Sequence, residues 1–433
     1  MNNFVSMDDS GMNRTRRKLF ILASTGLFLD GYDLSIITMA ILVLPTQLHF
    51  GKLDYILVDV SSFVGMLIGA PVLGLLSDRI GRKKIFGLDL IFFVFFAITA
   101  GLSTNFIELF LSRLLMGFGI GGDYPISSTM MSEFSPRKSR GKLLITMVGM
   151  YWVGAFFSAV ANYFLVAYSD FWRYTFIIGG LLAIPIVLLR FSVPESPRWL
   201  AKHGKINEAI KSEDEIVGTH DEINNVIEKK PKTKYGSTFI FVIIAWFIFD
   251  VAAYGIGFFY PTIFSTLGFK DKFKSIAEAS MVISIGGILG YVIAFPLADK
   301  IGRRFLIIFG FSTMSLLLVI GSFIHITGIY TVPYFFIFVL FEQWVGAVTL
   351  FYPTELFDTS VRSTVQGIAT AISRVGAIIG IIIFPLFPIF HSLSIFAAFA
   401  IIGLIMSIIY APETNRNSLE KNVEKYTMEL DKN

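Results

Sequence analysis

No cysteine occurs among the 433 residues, which excludes disulfides, thiolate metal sites and a cysteine nucleophile. Histidine is scarce, at five, and no His-Glu-x-x-His or paired metal-ligand spacing exists, so neither a metal nor a cofactor is expected. No nucleophile–base constellation falls within an apolar stretch, and the chain is not expected to be an enzyme. Charged residues make up only 16% and cluster in short segments between apolar runs. A cleavable leader pattern is missing too. The first 18 residues are polar and the first apolar segment is full length, so it is expected to stay as a span.

What is present is apolar surface. Hydrophobic residues reach 54%, with 45 Phe, against about 45–50% apolar residues in soluble domains. Windows of about 20 apolar residues suit membrane helices. Twelve are expected, at 19–45, 55–76, 85–103, 106–128, 143–166, 173–191, 237–263, 277–298, 305–325, 331–353, 364–387 and 391–410. The one long polar insertion divides them six and six. The expected organisation is a cytoplasmic tail 1–18, a six-helix bundle 19–193, a cytoplasmic linker 194–236, a second bundle 237–410 and a tail 411–433. Sixteen Lys and Arg in the tail and short loops fall on one side, among them Arg14, Arg79, Arg137 and Lys300; only Lys52, Lys270, Lys272 and Lys274 fall on the other. Positive residues stay inside, which puts both termini in the cytoplasm of a plasma-membrane protein. The basic balance thus has a topological cause, and no nucleic-acid partner is expected. A monomer in the lipid bilayer is.

The halves repeat. Gly74 to Lys84 holds Asp78, Arg79, Gly81 and Arg82, and Asp299, Gly302 and Arg303 return 221 residues after Asp78. Glu133 precedes Arg140 as Glu355 precedes Arg362. A repeat this long implies a duplicated bundle, with a solute site between the copies. The Asp and Arg of each loop can pair with a neighbouring helix while one side is closed, and Glu133–Arg140 and Glu355–Arg362 are expected as complementary pairs.

Ionisable groups inside spans cost at least ~2.5–3.5 kcal/mol each, so each is a functional candidate. Asp30, Asp33, Arg113, Asp123, Asp250, Glu342 and Arg374 lie within spans, and most are expected to meet in one central cavity. Five carboxylates against two arginines cannot all be paired and ionised, so at least one should carry a proton. Trp246, Asp250 and Tyr254 share a helix face and read as a solute-facing wall. Asp59, Asp89, His325 and His391 lie near helix ends and read as interfacial.

These loops and the Arg113-x3-Gly117-x-Gly119-x-Gly121 run resemble the major facilitator superfamily over residues 19–420. Pro194-Glu-Ser-Pro-Arg-Trp-Leu200 and Pro412-Glu-Thr414 resemble sugar-porter signatures. The segment Gly121 to Ser127, the Asp30 and Asp33 pair and the Trp246–Tyr254 face are similar to proton-coupled phosphate symporters. That resemblance implies proton coupling by Asp30 or Asp33 with Asp123 (and Arg113), and solute contacts from Tyr124, Trp246, Asp250 and Tyr254. Arg374 falls where those symporters carry Lys, and Tyr151 where they carry Gln. Tyr151 and Trp344 would suit a larger organic solute, Glu342 and Gln343 stand where those symporters have an Asn-containing stretch of helix 10, and Tyr151, Glu342, Gln343 and Arg374 are further candidate solute contacts. The leading expectation is proton-coupled symport of a small anionic or polar solute, with phosphate ahead. A sugar or organic-acid porter of the same fold is the alternative, and a transporter-like sensor is more remote.

Overall fold

The structure is a computed structural model describing residues 4–218, 236–267, 273–359, 361–415, 417, 419 and 421–423. Residues 219–235 of the expected linker, Lys270 and Lys272, and the last ten residues lie outside the described residues.

Among the described residues there are twelve long helices: α1 (Arg14–Ala40), α2 (Lys52–Ile80), α3 (Arg82–Leu102), α4 (Phe106–Phe134), α5 (Arg140–Leu165), α6 (Phe171–Arg190), α7 (Gly236–Gly257), α8 (Phe273–Ala298), α9 (Arg303–Ile324), α10 (Thr331–Leu356), α11 (Arg362–Leu386) and α12 (Ile389–Tyr410). Eleven are long and apolar enough to cross a membrane. The exception is α4, whose 29 residues include four charges and several glycines. Those glycines serve close packing. Added side chains at Gly117 and Gly121 would strike the backbone of Ser62 and Met66 on α2, the small-residue contact that lets membrane helices approach closely. Hydrophobicity is inverted relative to a soluble domain, with Leu188, Phe164 and Phe323 facing outward.

The two sets of six helices match. In the first, α1 packs on α5, α2 on α4, and α3 on α6; in the second, α7 packs on α11, α8 on α10, and α9 on α12. The sets meet along two equivalent seams, α2 with α11 and α5 with α8. The seventh span, expected to reach 263, instead ends at Gly257, and a separate short helix, Tyr260–Leu267, follows.

Gly81 and Gly302 sit between α2 and α3 and between α8 and α9 at φ 114° and 104°, values that favour glycine. Each turn is followed by a helix whose free N–H groups find a carboxylate. Glu195 accepts from the amides of Arg82 (3.0 Å) and Lys83 (3.2 Å). Glu413 accepts from Arg303 (3.1 Å) and Arg304 (3.2 Å). An acid at a helix N-terminus is favoured by the dipole as well as by the hydrogen bonds. Burial pushes the Glu195 carboxyl above its ordinary range, while the N–H of Ser196 and the charge of Arg82 pull it back.

Candidate functional site

Between the two sets of helices lies a cavity lined by Tyr124, Tyr151, Trp246, Asp250, Tyr254, Glu342, Gln343 and Arg374. All eight were expected from the sequence to contact solute. Arg374 on α11 is the organising charge: its guanidinium carbon lies 5.0 Å from the ring centres of both Tyr124 and Tyr254. Its Nη1 is 3.7 Å from Asp250 Oδ2, beyond hydrogen-bond range. Nε and Nη1 have no hydrogen-bond partner among the described residues. Asp250 also faces Ser373 and Trp246. The wall is more aromatic than the sequence suggested, adding Trp152, Phe249, Tyr260 and Tyr291. Asn162 on α5 contributes an amide with neither atom hydrogen-bonded among the described residues. Trp344, expected to suit a larger organic solute, is not in the lining. Its Nε1 donates to Gly290 O at 3.1 Å and its ring packs on Phe309.

The remaining membrane charges form a second group inside the first six helices, so the expectation of a single meeting point is corrected. Arg113 Nη1 stands 3.7 Å from Asp33 Oδ2, with Asp59 also facing it. Asp123 is held tightly, accepting from Arg190 Nη1 and Ser127 Oγ at 2.6 Å each. Arg190 also reaches Asp89 at 3.3 Å and the carbonyls of Phe86 and Leu22 at 2.9 and 3.2 Å. Asp30 faces Asp123, Arg190 and Arg374, and neither of its oxygens is hydrogen-bonded among the described residues. Asp59 and Asp89 are thus buried in protein rather than interfacial, because neighbouring helices cover both. Arg190 was missed: as the last residue of its helix it reads as a flanking charge. The buried tally is seven acids (Asp30, Asp33, Asp59, Asp89, Asp123, Asp250, Glu342) against Arg113, Arg190 and Arg374, so the acid excess is larger than the sequence indicated.

On the face where the helix Val5–Asp9 and the segment after Tyr410 lie, the repeated motifs join the halves. Asp78 accepts from the amide and hydroxyl of Thr364, each at 2.6 Å, and Asp299 is bonded by the backbone of Lys142. Asp78 pairs with Arg82 and Asp299 with Arg303, both at 3.0 Å. The expected Glu133–Arg140 partnership is replaced. Glu133 pairs with Arg82 (3.4 Å) and, across the seam, with Arg362 (2.9 Å). Arg140 reaches Asp8 at 3.0 Å. Glu355 pairs with Arg303 at 2.9 Å rather than with Arg362 as expected. Ser196 donates to Glu133 and Thr414 to Glu355, so each proline–glutamate motif caps one helix and clasps one gate acid. Arg79 is exposed and stands outside this network among the described residues.

The opposite face is bridged as well. Phe63 on α2 packs edge-on against Tyr254 (5.0 Å) and Phe258 (5.6 Å) of the other half, and Tyr55 bonds Thr262. Aromatic rings therefore cover the cavity on one side while ion pairs cover it on the other.

The profile described as "Sugar (and other) transporter" matches residues 19–426. The inner membrane metabolite transport protein YgcS of Escherichia coli is 30% identical, over 95% of this chain and 94% of its own. The inorganic phosphate transporter PHO84 of Saccharomyces cerevisiae is 28% identical, over 98% and 87%. Among solved structures, the major facilitator proton:xylose symporter XylE, bound to a bromodeoxyglucose, superposes with a TM-score of 0.83 at 21% identity, covering 95% and 99% of the two chains. The inward open form of XylE, from E. coli, reaches 0.74 at 20% identity over the same shares.

Proposed function

Because this chain belongs to the sugar (and other) transporter family, whose members are transporters and not enzymes, we propose that it is a proton-coupled symporter of a small organic anion. It works by alternating access in the plasma membrane, with both termini in the cytoplasm on the side where the basic loop residues gather. The observation that carries the reading is Arg374, loosely paired with Asp250 at 3.7 Å on the wall of an aromatic cavity between the halves. A guanidinium presents a planar fork that matches a carboxylate. An arriving anion takes the free N–H groups of Arg374 and leaves Asp250 without its partner. A buried acid stripped of its cation is costly, and a proton removes that cost. Asp33 with Arg113, also at 3.7 Å, is the corresponding proton handle in the first half, and Asp30 stands between the two groups. The loaded, protonated carrier then passes through the closed state at lower cost than the charged one.

Uptake into proteoliposomes tests this. An inward proton gradient should drive accumulation of a carboxylate, Asp33→Asn should keep exchange while losing the response to the gradient, and Arg374→Ala should lose uptake. Uptake indifferent to the gradient, or full uptake by Arg374→Ala, counts against the reading. Inorganic phosphate is the second reading. It is favoured by the Trp246–Asp250–Tyr254 wall and by relatives such as PHO84 that are named inorganic phosphate transporters. Stabilisation by phosphate and not by carboxylates would select it.

A further inference from the structure

The cavity carries an acid that an anion site does not use. Glu342 on α10 is 4% exposed and lines the cavity, and its Oε2 has no hydrogen-bond partner among the described residues. Among the described residues, the charge acting on it is that of Asp250, another acid. Beside it stands Tyr260, 5% exposed, whose hydroxyl is likewise unpartnered and turned to the same space. Tyr151 and Tyr291 both lie within electrostatic reach of Glu342 and complete an aromatic wall. Asp250 already offsets Arg374, so with Glu342 ionised the cavity carries one negative charge too many for a plain anion. A buried acid among tyrosine side chains is what a cation seeks, through the ion pair and through the aromatic rings.

We propose that Glu342 and Tyr260 form a subsite for a cationic nitrogen, so that the cargo is a zwitterion with a carboxylate for Arg374 and an ammonium for Glu342. The proposal rests on the anion site above. It makes Glu342 the specificity-determining residue, because a cargo lacking the nitrogen leaves a buried carboxylate unmatched. Both ends of a zwitterion are neutralised on binding, so the loaded site adds no net charge for the closed state to bear.

The test uses zwitterions and their carbon isosteres on the full-length protein: glycine betaine against tert-butylacetate, γ-aminobutyrate against valerate, and δ-aminovalerate against hexanoate. Affinity is read from thermal stabilisation and uptake from proteoliposomes. In at least one pair the zwitterion should bind about tenfold or more tighter than its isostere, the scale of one close charge pair. Glu342→Gln should abolish that ratio by weakening zwitterion binding, while isostere binding holds or tightens because no buried carboxylate is left unmatched, and Glu342→Asp should retain part of the ratio. Equal binding within every pair, or a ratio that survives Glu342→Gln, overturns the subsite. If Glu342→Gln does not fold, the wild-type ratios decide. Isostere binding indifferent to Arg374→Ala points instead to failure of the anion site, so the two failures are told apart.

Discussion

At the residue scale, the three membrane arginines differ in how firmly they are held, and this separates structure from mechanism. Arg190 makes a 2.6 Å bond to Asp123 and two carbonyl bonds; Arg113 stands 3.7 Å from Asp33. Removing one partner of a well-made buried pair leaves an uncompensated charge, at a cost of about 3–5 kcal/mol. Arg190→Ala is therefore expected to lower the melting temperature in detergent far more than Arg113→Ala, which should mainly abolish the response to a proton gradient. Equal melting shifts would remove the distinction. The charged residues of the cavity wall were legible because an ionisable group inside an apolar run is costly and so marks a candidate; Trp152, Phe249, Tyr260 and Tyr291 were not, because an aromatic in a span also packs without a solute. Partnerships were not. Which acid Arg190 meets depends on how α3, α4 and α6 cross, and no local pattern encodes that crossing.

At the element scale, the spans were read as apolar windows of about 20 residues, α4 among them at 106–128, although its full helix Phe106–Phe134 carries four charges. The short helix Val5–Asp9 was not. It falls in a polar stretch that reads as a free tail, yet Met7 and Asp8 are buried. Asp8 accepts from Arg140 at 3.0 Å and Arg198 at 2.9 Å, Arg137 pairs with Asp9 at 3.0 Å, and Phe4 lies under Arg198. Arg16 ties the segment to α1 through the carbonyls of Ser10 and Gly11. The tail thus clamps the α4–α5 turn to the Pro197–Lys202 helix beside the gate acid Glu133. Hydrogen bonds to charged groups contribute about 1.5–3 kcal/mol each, so Asp8→Asn should favour opening on this face. The natural absence of cysteine makes this measurable with one introduced thiol. In Ser363→Cys, a buried position on the α2–α11 seam, a membrane-impermeant maleimide should react roughly tenfold faster from the terminal face once Asp8→Asn is added, the equivalent of 1.4 kcal/mol. An unchanged labelling rate means the segment does not restrain the gate.

At the scale of the whole molecule, the duplication accounts for the gates and the departures from it account for the site. Asp78 with Thr364 and Asp299 with Lys142 are the same contact made twice, as are the Glu195 and Glu413 caps. Arg374 and Arg113 have no counterparts across the repeat. With ion pairs closing the terminal face and Phe63 against Tyr254 and Phe258 closing the other, the cavity is covered at both ends. A carrier that alternates must part these contacts one end at a time, which short thiol cross-linkers can test in the cysteine-free chain. Phe63→Cys with Phe258→Cys would lock one end, and Asp78→Cys with Thr364→Cys the other. Either lock should stop net uptake, and reduction should restore it for the first pair, where no gate acid is lost. Binding should survive each lock from the end left free, because Arg374 and Asp250 are untouched. Continued uptake with the Phe63–Phe258 bridge intact would mean that the solute does not pass between the halves at this point, and the alternating scheme would have to be abandoned.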